Sequence, residues 1–208
     1  MINTAAESEA RAARVAEIFN ADKAHGSVTV LQDQGAYRHL RATTHGGFLP
    51  WFEIATWPGT LIFQGPSGAW TFGRGVDDMA AYVKDTPVNV PYWADLLLHH
   101  SNPAYVYAGK DRATQYIWEA VQTAENTFPD LPEAVEATFF APYASADLDT
   151  EDGFLVSAST FEHDDFRFDV QDWDLKIIDS GFAYACHALS WAIDLWAAGK
   201  GAATAAVR

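Results

Sequence analysis

The chain has a single cysteine, Cys186, in 208 residues. That excludes an internal disulfide and a cysteine-based zinc cluster, and the neighbouring Ala185 and Ala188 make it read as a buried, inert thiol. Basic residues are also scarce: 13 Lys and Arg stand against 28 Asp and Glu, a formal charge of −15. Neutralising phosphates takes a lysine and arginine excess, so a general nucleic-acid binder is excluded, and an anionic membrane surface is repelled. Met1 to Asn20 lacks the charged start and continuous apolar run of a signal peptide. A reducing cytoplasm is therefore the expected location. No GxxxxGK[ST], GxGxxG, HExxH or GxSxG motif occurs, and Gly73-Arg74-Gly75 only hints at a glycine-rich loop.

Metal and catalytic patterns are incomplete. In DLDTEDG, Asp147, Asp149 and Glu151 alternate like the start of a calcium loop, but the sixth position is Asp152 and the twelfth Ala158. The glycine and bidentate glutamate that calcium needs are missing, so the segment reads as a loop. His163, Asp164 and Asp165 have ligand chemistry without regular spacing and read as an exposed turn. His187, Ser190 and Asp194 fall at i, i+3 and i+7 of one helix, which makes a narrow polar face and no triad. No metal, cofactor or catalytic residue is expected. Enzymatic activity is not indicated, although Glu53, His39 and Asp77 carry chemistry that would matter if they met in a cleft.

What the chain does have is periodicity. Residues 1–26 read as an N-terminal helix, with Thr4 and Glu7 as a capping box and Ala12, Val15, Ile18 and Phe19 as its apolar stripe. From Ser27 to Arg74 the period drops to two, with turn signals at Asp33-Gln34-Gly35, His45-Gly46-Gly47, Pro58-Gly59 and Gly65-Pro66-Ser67-Gly68. Residues 27–74 therefore read as an antiparallel β-meander of about five strands. Phe52 and Ile54 share one face of the third strand, opposite Trp51, Glu53, Ala55 and Trp57. The second strand sets Arg38 and Leu40 against Tyr37, His39 and Arg41, so one arginine lies on the covered side and must be paired or reach solvent.

Residues 75–199 read as mainly helical, with helices at Val76 to Lys84, Tyr92 to His100, Arg112 to Asn126, Glu133 to Tyr143 and Ser180 to Ala198. The last is apolar almost all round and reads as a buried core or dimer helix, because His187 and Asp194 interrupt a membrane span. Residues 200–208 read as a flexible tail. The whole reads as one α+β domain over 1–208, the meander packed against helices.

Two regions stand out as surfaces. Arg38, His39, Arg41, Trp51, Glu53, Trp57 and Arg74 concentrate guanidinium groups and indoles within the meander. Guanidinium forks grip phosphates and indoles stack on bases, so this set is the candidate ligand-binding site, against the alternative that the tryptophans are core and the arginines pair with acids. The second region is Asp147 to Asp179, with 11 acids against Arg167 and Lys176, interleaved with Phe154, Phe161, Phe166, Phe168 and Trp173. It reads as a solvated acidic surface or as an imitation of nucleic-acid charge facing a basic protein.

RHLR at Arg38 to Arg41, WFEIATWPG at Trp51 to Gly59 and YACHALSWAI at Tyr184 to Ile193 resemble a family of uncharacterised phage and prophage proteins. The family pattern has Asp where Glu53 stands, His where Thr60 stands, and Asp-Met where Pro66-Ser67 stand. The resemblance implies phage origin and action in the cytoplasm of a bacterial host, and implies no reaction. Origin and residues together lead to the expectation of a counter-defence protein that sequesters a small nucleotide-derived immune signal, closed by helices or by a second subunit of a homo-oligomer. The alternatives are an acidic inhibitor of a host defence protein and a hydrolase of the same signal.

Overall fold

The computed structural model describes residues 4–45 and 49–206. It is an α+β protein whose contacts gather into two compact units, Ser8–Ala104 with Ile178–Arg208 and Met1–Glu7 with Tyr105–Ile177. The first unit is built on a six-stranded antiparallel sheet in chain order: β1 (Ser27–Gln34), β2 (Tyr37–Thr43), β3 (Trp51–Trp57), β4 (Thr60–Gly65), β5 (Gly68–Gly73) and β6 (Leu97–His100). Tight turns make that order possible. Gly59 takes a φ of 76° in the β3–β4 turn, a left-handed conformation that glycine adopts without steric cost. The expected His45-Gly46-Gly47 turn lies largely outside the described residues.

The meander is as expected, and the sixth strand is a correction. Tyr92 to His100 is not a helix: α3 is only Val90–Ala94, and Leu97–His100 pairs with β5 through Thr71↔His99 and Trp70↔His100. A short apolar run has no decisive period of its own, and the unpaired edge of β5 supplies the hydrogen bonds that settle it. The other α-helices of this unit are α1 (Thr4–Asp22) from Ser8 onward, α2 (Met79–Asp85) and α7 (Ser180–Ala206). The last extends past the expected end at Ala198 through most of the expected tail, while Val207 and Arg208 lie outside the described residues. No helix of the described residues is long and apolar enough to cross a membrane.

Alternation explains the core. Leu40, Phe52, Ile54, Leu61, Phe63, Trp70 and Phe72 point to one side of the sheet and are all buried. Phe182, Ala183, Cys186, Leu189, Ala192 and Ile193 of α7 belong to the same cluster, as do Val15 and Phe19 of α1. Trp70 lies 5.9 Å from Phe182 between ring centroids. Each such large side chain contributes about 1.5–3 kcal/mol on burial. Within the expected stripe of α1, Ile18 is instead exposed, and the Thr4 side chain of the expected capping box lies outside the described residues.

The second unit comprises β7 (Tyr105–Tyr107), α4 (Lys110–Ala124), α5 (Leu131–Val135) running on as a π-turn to Phe140, α6 (Glu151–Thr160), the hairpin β8 (Glu162–His163) and β9 (Phe166–Arg167), and β10 (Lys176–Ile178), which crosses its boundary. The helix expected over Glu133 to Tyr143 stops at Phe140 because Ala141 turns extended, ψ 154°, ahead of Pro142. The core of this unit holds Ile117, Val121, Leu131, Phe139, Phe154, Phe161 and Phe168. The aromatics interleaved in the acidic stretch are thus packing residues, while Asp149, Asp152, Asp164, Asp165, Asp169 and Asp172 are exposed.

The DLDTEDG segment, expected as a loop, caps α6. Thr150 accepts a bond from the Gly153 amide, and Asp147 accepts from the Asp149 amide at 2.9 Å and from the Thr150 hydroxyl at 2.8 Å. These bonds, the Asp149 amide first, hold the Asp147 carboxyl below its usual range. A Cβ on Gly153 would come within 1.9 Å of Asp147 Oδ2 and 2.7 Å of its Cβ. Helix propensity favours Gly153→Ala by about 1 kcal/mol, but the clash expels Asp147, the carboxylate that holds the capping Thr150 hydroxyl. We expect Gly153→Ala to lower the thermal midpoint, read by circular dichroism; a raised midpoint would show that Asp147 does not hold the cap.

A candidate ligand face on the open side of the sheet

On the side of the sheet opposite the core, odd-numbered residues of β2 and β3 stand together. Arg41 is directly opposite Glu53 in the ladder, and His39 opposite Ala55. Arg41 Nε donates to Glu53 Oε1 at 2.8 Å, its Nη2 donates to the same oxygen, and His39 Nε2 meets Glu53 Oε2 at 2.8 Å. Both carboxylate oxygens are therefore engaged. The Arg41 bonds, then that of His39, hold the Glu53 carboxyl below its usual range. Trp51 and Trp57, 43% and 37% exposed, occupy the two ends of β3 on this face. Six residues of strand separate them by about 20 Å.

Trp51 is the diagonal neighbour of Arg41, since Thr43↔Trp51 and Arg41↔Glu53 are successive pairs on one face. Such neighbours have Cα atoms about 7–8 Å apart, within reach for long and aromatic side chains. A planar group lying on the indole would have its edge near a guanidinium that Glu53 already orients. Tyr37, 56% exposed, stands on the same face of β2. The sequence pattern places it there, since it shares the parity of His39 and Arg41.

The structure does not bring all seven candidate residues together. Arg38 lies on the covered face, 7% exposed, with Nη1 and Nη2 donating to Asp78 Oδ1 and Oδ2 at 2.6 and 2.7 Å. Its Nε lies 3.5 Å from Asp33, and its guanidinium carbon 4.5 Å from the Trp196 ring centre. Asp78 is also the N-cap of α2, accepting from the amides of Ala80 and Ala81 at 3.0 and 3.1 Å. Burial alone would push the Asp78 carboxyl up, but Arg38 and these amides outweigh it and the group sits below its usual range. Arg74 is exposed past the end of β5, its guanidinium 5.7 Å from the Tyr82 ring. The open face thus gathers His39, Arg41, Trp51, Glu53 and Trp57, while Arg38 and Arg74 stand elsewhere.

Of the remaining histidines, His25 and His45 meet edge to face with ring centroids 5.8 Å apart. His187 is half-buried against Phe19, and burial, then Lys23, lowers its pKa. His99 and His100 alternate along β6 rather than around a helix. Among the described residues no group of three or more His, Cys, Asp or Glu is placed to hold a metal ion. Comparison with protein-family models, with curated proteins and with solved structures finds no match.

The two arginines of β2 make opposite expectations. Removing Arg38 leaves Asp78 partly buried without its cation and takes the stack from Trp196, so Arg38→Ala should cost about 3–5 kcal/mol in urea unfolding. Arg41→Ala removes an exposed pair and should cost no more than about 1 kcal/mol. Equal losses would overturn this division of roles.

Proposed function

We propose that the protein is a binding module that holds a nucleotide-type ligand on the open face of its sheet. The observation that carries this reading is the pairing of exposed Trp51 with diagonal Arg41, whose guanidinium is preoriented by Glu53 and, through it, by His39. A guanidinium fixed before binding loses less entropy on gripping a phosphate, and an exposed indole offers a base a stacking surface of either sequence or sugar type. The resemblance to phage proteins supports the biological role: a counter-defence protein, acting in the cytoplasm of the bacterial host, that withholds a small nucleotide-derived immune signal from its receptor. Sequestration asks for binding and release without chemistry, which matches a site whose carboxylate is fully engaged.

The test is titration calorimetry against cyclic di- and trinucleotides and ADP-ribose derivatives. A stacked base and a charge-assisted phosphate contact are each worth about 1–3 kcal/mol, so Trp51→Ala and Arg41→Ala should each weaken binding about tenfold or more while the melting curve is little changed. If the wild-type chain binds none of these compounds, or both variants bind as well as wild type, the reading falls.

A second reading rests on charge. The unit formed by Met1–Glu7 and Tyr105–Ile177 holds four Lys and Arg against 17 Asp and Glu, a net of −13, and most of its acids face solvent while Phe139, Phe154, Phe161 and Phe168 are buried in its core. Such a surface suits a basic partner, here a nucleic-acid-binding defence protein of the host. Replacing Asp164, Asp165, Asp169 and Asp172 with asparagine should then weaken partner binding and flatten its salt dependence together, measured by interferometry at low and high salt. It should leave nucleotide affinity unchanged. Partner binding that survives the fourfold change removes this reading.

A further inference from the structure

The sheet has two edges, and the one formed by β1 is long and, among the described residues, pairs with no further strand. β1 runs eight residues, Ser27–Gln34, and is hydrogen-bonded to β2 alone among the described strands. Most of its residues are exposed, with Val30 at 47% and Leu31 at 49%. Proteins commonly blunt such an edge with lysine, proline, inward charges or a bulge, because its free amides and carbonyls are a template for another strand. β1 has no lysine, arginine or proline. Its one acid, Asp33, accepts a bond from Trp196 Nε1 at 3.0 Å. Asp33 is thus an inward charge, and a bulge lies between Val30 and Gln32, but both devices leave Ser27 to Val30 in regular register.

We propose that the Ser27 to Val30 edge pairs with the same edge of a second copy of this chain, joining two six-stranded sheets into one. The occupant follows from self-complementarity. Antiparallel pairing centred on Thr29 sets Thr29 against Thr29 and Val28 against Val30 of the other copy. Thr29 is in register with Arg41 and lies on the open face; Val28 and Val30, in register with Ala42 and Leu40, lie on the core face. The two valine pairs cover the exposed part of Val30, and β-branched and Thr–Thr pairs are favourable cross-strand neighbours. No charge meets a like charge in this register, and the unit that carries β1 has nine Lys and Arg against 11 Asp and Glu, a net of only −2. The twofold axis of an antiparallel pair stands perpendicular to the sheet. Both open faces, each with its Trp51 and Arg41, therefore come out on the same side.

Sedimentation equilibrium of the full chain at about 100 µM, a range in which interfaces below the standard size assemble, should give a mass near twice 22.8 kDa that falls on dilution. Val30→Lys, which sets a cation against the Val28 of the other copy, should restore the monomer mass at the same concentration with an unchanged melting curve. Hydrogen exchange keeps the question open to refutation if that variant misfolds: in the wild type, amides of Ser27 to Val30 should gain protection as concentration rises, while amides of β6 do not. A monomeric wild type overturns the proposal. So does a dimer that persists in a folded Val30→Lys chain, or β1 protection that is independent of concentration.

Discussion

α7 has almost no polar face, and covering it dictates the rest of its unit. Phe182 to Cys186, Ala188, Leu189, Ala192, Ile193 and Trp196 are all buried, so the helix needs apolar partners around most of its circumference. The sheet supplies them by aiming one alternate set of side chains at the helix. Once that set is committed to the core, the pleat leaves the other set on the opposite side, and register makes the choice strict: a one-residue slip would bury His39, Arg41 and Glu53 and expose Leu40, Phe52 and Ile54. The ligand face is thus a consequence of how the core is built.

The cost of this arrangement is a charge on the wrong side. Arg38 shares a face with Leu40, and an unpaired guanidinium there would be expensive to bury. Asp78 resolves it with two hydrogen bonds, and the same carboxylate starts α2 by capping two amides. One acid thereby serves a strand and a helix, and the indole of Trp196 covers the guanidinium from α7. On the open face the same chemistry has a different weight. Arg41 and Glu53 are also paired, but in solvent the pair contributes little to stability, which leaves the guanidinium available for an incoming anion.

Charge is separated by unit. The Tyr105–Ile177 unit, with Met1–Glu7, carries a net of −13 and the sheet unit −2. An anionic ligand near the open face therefore meets a locally near-neutral sheet unit, in spite of the overall −15. The acidic unit keeps its own aromatic core, so its exposed carboxylates are a property of its surface and not a sign of a weak interior.

Period-two alternation between glycine-bearing turns was enough to read the meander, its faces, and the opposition of Arg38 to Arg41, because side-chain direction in a strand depends only on parity. The buried character of α7 was equally legible, since no helix so apolar can stand in water. Other features depend on partners far along the chain. Arg38 meets Asp78 40 residues away, and Trp196 meets Asp33 163 residues away. Leu97–His100 is a strand because β5 offers an edge, and the phenylalanines of the acidic stretch are core because α4 and α5 fold over them. Local sequence determined direction and period; which groups desolvate one another was decided only by the tertiary structure, because burial and ion pairing belong to neighbours in space.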